Sequence, residues 1–305
     1  MFPTAQSVDT LIVGQGPAGL SAAIYTARAG IKTVVVGMPP KIDGEYDIDN
    51  YFGFDETVTG SELMARGRQQ AERFGADLVT ERVLGIHHGM DGAFEVKTEH
   101  STFMARSVIL AAGVSRVRPG ISNLDDYDGK GISYCVSCDG FFYKQKPVMV
   151  LGEGNYAVNQ ALELKNYTSD VTLCSQGKAL TMTDDFRARL DEAGIPIIEK
   201  KVTTLEGSPA LERAIFDDGE SIAVDGIFIA MGEASASDFA WTLGLEREGI
   251  YIKSDENQRT NLPGIYAAGD CVGRFLQIAV AVGEGALAAR QAINHVKKTA
   301  KEAAS

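Results

Sequence analysis

Thr10-Leu11-Ile12-Val13-Gly14-Gln15-Gly16-Pro17-Ala18-Gly19 is the stretch that decides the fold. Thr10 to Val13 is a short apolar run of the kind that fills a buried parallel strand. The Ala-rich residues that follow, up to Gly30, are good helix formers, and Ile31 to Val36 is apolar again. The order is strand, glycine turn, helix, strand. A G-x-G-x-x-G turn between a strand and a helix lets the backbone approach a diphosphate, whose charge the free N–H groups and the positive helix end stabilise. Nucleotide binding through Gly14, Gly16, Pro17, Ala18 and Gly19 is therefore predicted, an ordinary tight turn being the alternative. An acidic side chain about 20 residues further on commonly grips the adenosine ribose. Here Gly37 and Met38 stand there, with Asp43 and Glu45 a little late.

The same order returns further along. Val148 to Leu151 leads into Gly152-Glu153-Gly154-Asn155-Tyr156-Ala157, a helical stretch to Tyr167, and Val171 to Cys174. Each unit closes on an apolar strand ending in small residues, Val108 to Gly113 in the first and Gly226 to Gly232 in the second. Gly264 to Asp270 and an Ala/Gly-rich helix from about Gln277 to Val296 repeat neither unit, so they return to complete the first. The predicted fold class is α/β, with two Rossmann-like nucleotide-binding domains, the second inserted in the first. The expected division is 1–115 with 245–305, and 116–244. Gly269-Asp270 places a carboxylate at a strand end facing a second helix N-terminus, where it could bond a sugar or ribityl hydroxyl; a helix N-cap is the alternative.

Composition narrows the function classes. The 305 residues include 45% hydrophobic and 23% charged residues, a globular rather than a disordered balance. With 29 basic and 41 acidic side chains the net charge is −12, which leaves no basic stripe for nucleic acid or an anionic membrane. The first residues carry no cationic, apolar leader pattern, and apolar runs fall short of the roughly 20 residues that span a bilayer. The reading is a soluble, cytoplasmic protein with neither nucleic-acid nor membrane partners.

Four cysteines are too few and too unevenly spaced for a disulfide framework, but Cys135-Val136-Ser137-Cys138-Asp139 pairs two of them. A short helix here would put Cys135 near its N-terminal end, where a thiolate is stabilised and the pair can close a reducible disulfide. Zinc would need two more ligands at comparable spacing, and His87, His88, His100 and His295 provide none, so no metal is expected. Asp139 could pass a proton to a leaving thiolate, or simply cap the helix. Cys174 and Cys271 read as buried small residues.

Gly14 to Gly19, Gly131-Ile132-Ser133-Tyr134 leading into Cys135 to Gly140, and Gly264 to Asp270 followed by Gln277-Ile278 and Ala281 to Gly285 together resemble the low-molecular-weight thioredoxin reductases over nearly the whole chain. The resemblance implies an FAD domain in two segments, an inserted domain carrying the dithiol, a homodimer and a rotation between domains. It implies that the glycine turn, Asn50, Ala112, Gly113, Gly269, Asp270, Gln277 and Ile278 hold FAD. It also implies that reduced flavin reduces the Cys135–Cys138 disulfide, that Cys138 faces the flavin, and that Cys135 attacks thioredoxin or a thioredoxin-like protein with Asp139 as acid.

The resemblance falters at the nicotinamide site. Typical members have three consecutive glycines at the second turn and a His-Arg-Arg run after the next strand; this chain has Glu153 as the middle residue, Tyr156 for a small one, and Cys174-Ser175-Gln176 for the basic run. A carboxylate about 5 Å from a diphosphate costs on the order of 3 kcal/mol at an effective dielectric of 20. Losing two charge-assisted arginine contacts removes roughly 3 to 6 kcal/mol more. NADPH binding should be weakened by roughly 10³-fold or beyond, unless Lys178, Arg187 or Arg189 replaces the clamp. The Gly-Gly-Gln segment after the second strand is also missing, and Leu276 precedes Gln277 where an arginine is common. Met38 to Phe54 instead looks like atypical reductases served by ferredoxin or a deazaflavin, with Tyr51 and Phe52 either in the core or beside the flavin. An acidic donor such as ferredoxin would need a basic patch, for which Arg66, Arg68 and Arg73, or Arg116, Arg118 and Lys130, are candidates. A flavin-dependent dithiol oxidase using oxygen, and a flavin-bound docking module without catalysis, remain as alternatives.

Overall fold

The computed structural model describes residues 5–89, 92–114, 118–232 and 234–303. The chain divides into two compact units, Met1–Val114 with Ser235–Ser305, and Ser115–Ala234.

In the first unit the strands Asp77–Val79, Thr33–Val36, Gln6–Val13 and Thr102–Leu110 lie side by side in that order, all parallel, and Ile265–Ala267 adds parallel to the last of them. Ile12 is in register with Val35 on one side and Ile109 on the other, and all three are fully buried. Burial on both faces explains why these strands read as continuous apolar runs without alternation. An antiparallel hairpin, Val83–His88 with Phe94–Thr98, extends the sheet. The helices Pro17–Arg28 and Ile278–Ala303 pack on each other through alanines, among them Ala22, Ala23, Ala288, Ala289 and Ala292. The approach is so close that a Cβ at Gly285 would lie 2.1 Å from the carbonyl oxygen of Ala18.

In the second unit a five-stranded parallel sheet runs in the order Ile197–Ile198, Val171–Cys174, Val148–Leu151, Gly226–Ile229, Ile132–Ser133. A three-stranded antiparallel sheet, Val202–Glu206, Arg213–Phe216 and Ser221–Ala223, covers it through Met149, Leu151, Ile227, Val202 and Phe216. Asn155–Leu164 is the helix of the second glycine turn.

The chain rejoins the first unit at Ser235, earlier than the predicted 245. The reason is local: Ser235 and Asp238 form a capping box that starts the helix Ala236–Thr242, and that helix packs on Val83–His88 and Tyr251–Ile252. Among the described residues no helix is long and apolar enough to cross a membrane.

Candidate active site: a dinucleotide cradle and a disulfide

The predicted cofactor residues of the first unit gather beyond the C-terminal ends of the parallel strands, where ligands of doubly wound sheets bind. Gly14 has φ +113°, and a Cβ there would lie 2.3 Å from the Ala111 oxygen and 3.0 Å from the Ala112 Cα. This contact brings the turn against Ala112 and Gly113. A Cβ at Gly19 would lie 1.9 Å from the Gly14 oxygen. Gly16 differs: its φ of −79° and ψ of −177° suit any residue, and the nearest atom to a Cβ there is 3.9 Å away. Space, rather than backbone conformation, is what glycine provides at position 16. The helix that starts at Pro17 has no side-chain cap and no acidic residue in its first turn, so its free N–H groups face that space.

Gly269, at φ +82°, packs its Cα against the same turn, a Cβ there being 2.9 Å from Ala18 Cβ. The Asp270 carboxylate is exposed and takes no side-chain hydrogen bond among the described residues. It opens a short 3-10 turn, Asp270–Val272, and is not the cap of the C-terminal helix, which begins at Ile278. Gln277 stands at that helix start, its carbonyl accepting the Ala281 N–H at 2.9 Å. Asn50 Nδ2 donates to Gln277 Oε1 at 3.0 Å, uniting two residues far apart in sequence. Ser21 Oγ donates to the Val282 oxygen at 2.7 Å and pins the two helices together. Open space at a positive helix end, with a free carboxylate beside it, fits a dinucleotide such as FAD.

Two side chains that sequence reasoning missed hold this cradle. Gln15, buried, donates through Nε2 to the Gly37 and Val79 oxygens at 2.8 and 3.0 Å, tying three strand ends together. Glu284, also buried, accepts the Gly269 N–H at 2.7 Å and pairs with Arg274 at 3.4 Å. Phe52 is 98% exposed and so is not a core residue, while Tyr51 packs on Phe54 at 6.2 Å.

In the second unit Cys135 and Cys138 form a disulfide with a Cα–Cα distance of 5.3 Å. Cys135 caps the one-turn helix Val136–Asp139, its sulfur accepting the Cys138 N–H at 3.2 Å. Cys135 is buried and Cys138 exposed. Asp139 does not cap the helix: its Oδ2 accepts from Ser133 Oγ at 2.6 Å, and Ser133 Oγ in turn accepts the Cys135 N–H at 3.2 Å. Ser133, the last residue of its strand, thus links the carboxylate to the first cysteine. Directly after the helix, Phe141 and Phe142 are 61% and 69% exposed, edge to face at 6.1 Å. Nearby, burial and then the charges of Asp139 and Asp225 push the Tyr143 hydroxyl up. Cys174 and Cys271 are free and buried, and burial pushes their thiols up to about 11 and about 12.

At the second glycine turn, among the described residues, Lys178, Arg187 and Arg189 do not replace the missing basic clamp. Gln176 is turned inward, its amide bonded to the Pro119 and Val202 oxygens at 2.9 and 2.6 Å and to the Val202 N–H at 2.9 Å. Lys178 pairs with Glu153 at 3.0 Å, Arg187 with Asp191 at 3.2 Å, and Arg189 lies over the Phe186 ring. Tyr156 is buried. Of the candidate basic patches, Arg66 pairs with Glu62 and Arg68 with Asp43, each within 2.7 Å, Arg73 covers Phe74, and Arg118 pairs with Asp125. Lys130 is exposed. Arg116 lies outside the described residues.

Comparison with known proteins agrees with this geometry. The family model for pyridine nucleotide-disulphide oxidoreductases matches residues 8–285. A thioredoxin reductase of Listeria innocua is 35% identical over 95% of this chain and 94% of its own length. Among solved structures, the atypical thioredoxin reductase TRi of Desulfovibrio vulgaris Hildenborough is 62% identical, with a TM-score of 0.94 over 95% of this chain and 98% of that one. A ferredoxin-flavin thioredoxin reductase of Clostridium acetobutylicum is 28% identical, with a TM-score of 0.72 over 96% and 99%. The chain belongs to the pyridine nucleotide-disulphide oxidoreductases and, within them, is a thioredoxin reductase-like flavoprotein.

Proposed function

We propose that this chain reduces the disulfide of thioredoxin or a thioredoxin-like protein through Cys135 and Cys138, working as a homodimer with a donor other than NADPH. FAD, when bound, supplies the electron pair. Gly14 to Gly19 with Ala112 and Gly113 would hold its diphosphate, Asp270 a ribityl hydroxyl, and Asn50, Gln277 and Ile278 its ring end. The observation that carries the reading is the disulfide itself, capping a one-turn helix, with Ser133 fixing Asp139 beside it.

Two electrons and two protons convert that disulfide to two thiols. Cys135, buried in this state and exposed by the rotation between domains that the resemblance implies, gives its proton to Asp139, and its thiolate attacks the partner's disulfide to form a mixed disulfide while one partner sulfur leaves. Asp139 delivers the proton that this leaving thiolate takes up. Cys138 attacks Cys135 in the mixed disulfide, re-forming the Cys135–Cys138 bond, and its proton passes to the second partner sulfur, which leaves in the reduced partner. Phe141 and Phe142, exposed beside the disulfide, provide apolar surface on which such a partner can seat.

The donor reading rests on Gln176, whose amide is fully used inside the unit where a 2′-phosphate would need a cation. TRi and the ferredoxin-flavin enzyme are relatives described as atypical or ferredoxin-linked, which supports the same direction. The test is anaerobic bleaching of the flavin by NADPH, NADH, photoreduced ferredoxin and reduced deazaflavin in turn. Slow or no bleaching by NADPH is expected; fast, saturable bleaching at micromolar NADPH overturns the donor reading. Failure of the bleached enzyme to reduce a thioredoxin disulfide overturns the reductase reading.

A further inference from the structure

A glycine turn that has lost its nucleotide leaves an electrostatic problem, since the free N–H groups and the positive end of the following helix still attract negative charge. In the second unit that demand is met from within. Glu153, the middle residue of the turn, is buried. Its Oε1 lies 3.0 Å from Lys178 Nζ, and its Oε2 accepts the Gly232 N–H at 3.3 Å across the mouth of the neighbouring strand. The segment beyond Lys178 is stitched over the same turn. The Thr181 N–H donates to the Glu153 oxygen at 2.8 Å, and the Thr183 N–H to Asn155 Oδ1 at 2.8 Å. A Cβ at Gly154 would meet Thr181 Oγ1 at 3.2 Å, a side-chain atom that can turn aside, whereas the nearest atom at Gly16 is 3.9 Å away.

We propose that Glu153 is the specificity-determining residue of the second glycine turn, a tethered carboxylate that takes the place of a dinucleotide phosphate and is latched there by Lys178. The inference rests on the reading that the donor is not NADPH, and adds that exclusion is active: a filled anion position, beyond a missing clamp. Lys178 is 42% exposed, so water takes over its charge when Glu153 is removed, and a half-exposed pair adds little to stability. Removing this one should therefore change what the turn binds more than whether the unit folds. With the carboxylate gone, Lys178 Nζ and the Gly232 N–H become donors for an external phosphate, as a point charge and a backbone amide commonly are.

The experiment uses the FAD-loaded enzyme and titrates ADP and, separately, inorganic pyrophosphate by calorimetry into the wild type, Glu153→Ala, Glu153→Gln and Glu153→Ala/Lys178→Ala. No saturable binding is expected for the wild type. Glu153→Ala should bind ADP at least tenfold more tightly, Glu153→Gln should show a smaller gain, and the double variant should lose the gain. An Ala variant with an unaltered flavin spectrum and melting temperature that binds ADP no better than wild type overturns the latch, as does wild-type binding equal to the variant's. Should Glu153→Ala not fold, the Gln variant, which keeps the shape and an acceptor for Gly232, decides by the same criterion. The two readings fail separately: bleaching of wild type by NADPH overturns the donor reading, whereas an absent ADP gain in an enzyme that NADPH does not bleach overturns only the latch.

Discussion

Glu284 offers the sharpest test of how the cofactor cradle is held. Its carboxylate, 6% exposed, receives the Gly269 N–H at 2.7 Å and so fixes the backbone just before Asp270. Gly269 is held at a positive φ that few residues adopt, which makes the turn dependent on that anchor. Replacing Glu284 with alanine removes a charge-assisted hydrogen bond worth about 1.5–3 kcal/mol and leaves the buried amide without a partner. The Arg274 pair adds about 0–1 kcal/mol at most, because the arginine is half in solvent. The expected loss is about 1.5–4 kcal/mol of unfolding free energy. Glu284→Gln keeps an acceptor at the same reach and should lose only about 1 kcal/mol. Urea unfolding of the holoenzyme, followed by both circular dichroism and release of flavin fluorescence, measures the loss and shows whether the cradle opens first. Flavin release should precede loss of helix in the alanine variant. If Glu284→Ala unfolds within about 0.5 kcal/mol of wild type, the range of ordinary surface substitutions, and retains flavin equally, the anchoring argument is wrong.

The remaining expectations concern the glycine turn, the disulfide and the free thiols. Gly16→Val should fold normally but retain flavin at least tenfold less well, about 1.4 kcal/mol, in ultrafiltration assays, because its Cβ enters the open space above the turn. Gly19→Ala should instead cost stability, about 1–3 kcal/mol or more, with its Cβ driven into the Gly14 oxygen; equal flavin retention by both variants would argue against a diphosphate at position 16. Ser133→Ala should slow thioredoxin reduction by dithionite-reduced enzyme on the order of tenfold, from loss of about 1.5 kcal/mol of hydrogen bonding to Asp139, and Ser133→Thr should restore most of it. Stopped-flow traces identical for alanine and wild type would remove Ser133 from the mechanism. With their ordinary value of 9.0 raised to about 11 and about 12, Cys174 and Cys271 keep protons in the folded state that the unfolded chain releases. Their contribution is intact below pH 9, and stability falls as pH climbs from there toward 12. Mass spectrometry after reduction and native alkylation at pH 8 should therefore find no adduct on Cys174 or Cys271, and adducts on all four cysteines in denaturant.

What the residues disclosed in advance follows the range of the interactions involved. Thr10 to Gly19 is self-sufficient: apolar residues, three glycines and a proline at the first helical position fix strand, turn and helix within ten neighbours, and Cys135 to Asp139 fixes its one-turn helix in the same way. Their chemistry was legible for that reason. Glu284 and Gln15 were not, because their partners are backbone groups 15 and up to 64 residues away and nothing in a glutamate or a glutamine marks which amide or carbonyl it will meet. Phe52 illustrates the opposite limit. Beside Tyr51 and Phe54 it has the composition of a core strand, yet it follows Asn50, whose bond to Gln277 fixes the loop, and it emerges almost wholly exposed.

Glu153 shows how a local departure acquires meaning only from the fold. In the sequence it is a charge in a turn that ordinarily admits none, and the simplest reading is repulsion of a phosphate. In the structure the same charge is spent on Lys178 and Gly232, residues 25 and 79 positions away, and the lysine that could have rescued a nucleotide phosphate is the one that holds the carboxylate down. Repulsion and rescue are therefore not independent terms to be weighed against each other. One ion pair removes the cation and fills the anion position together, so a Lys178 substitution alone should not restore nucleotide binding, whereas loss of Glu153 frees both donors at once. The turn kept the strand, the helix and two of its glycines because they still build the core of the unit, with Leu151, Ala157 and Ile229 buried around it. On this proposal the module retains a nucleotide-binding fold for its packing while Glu153, held by Lys178, closes the turn to a dinucleotide phosphate.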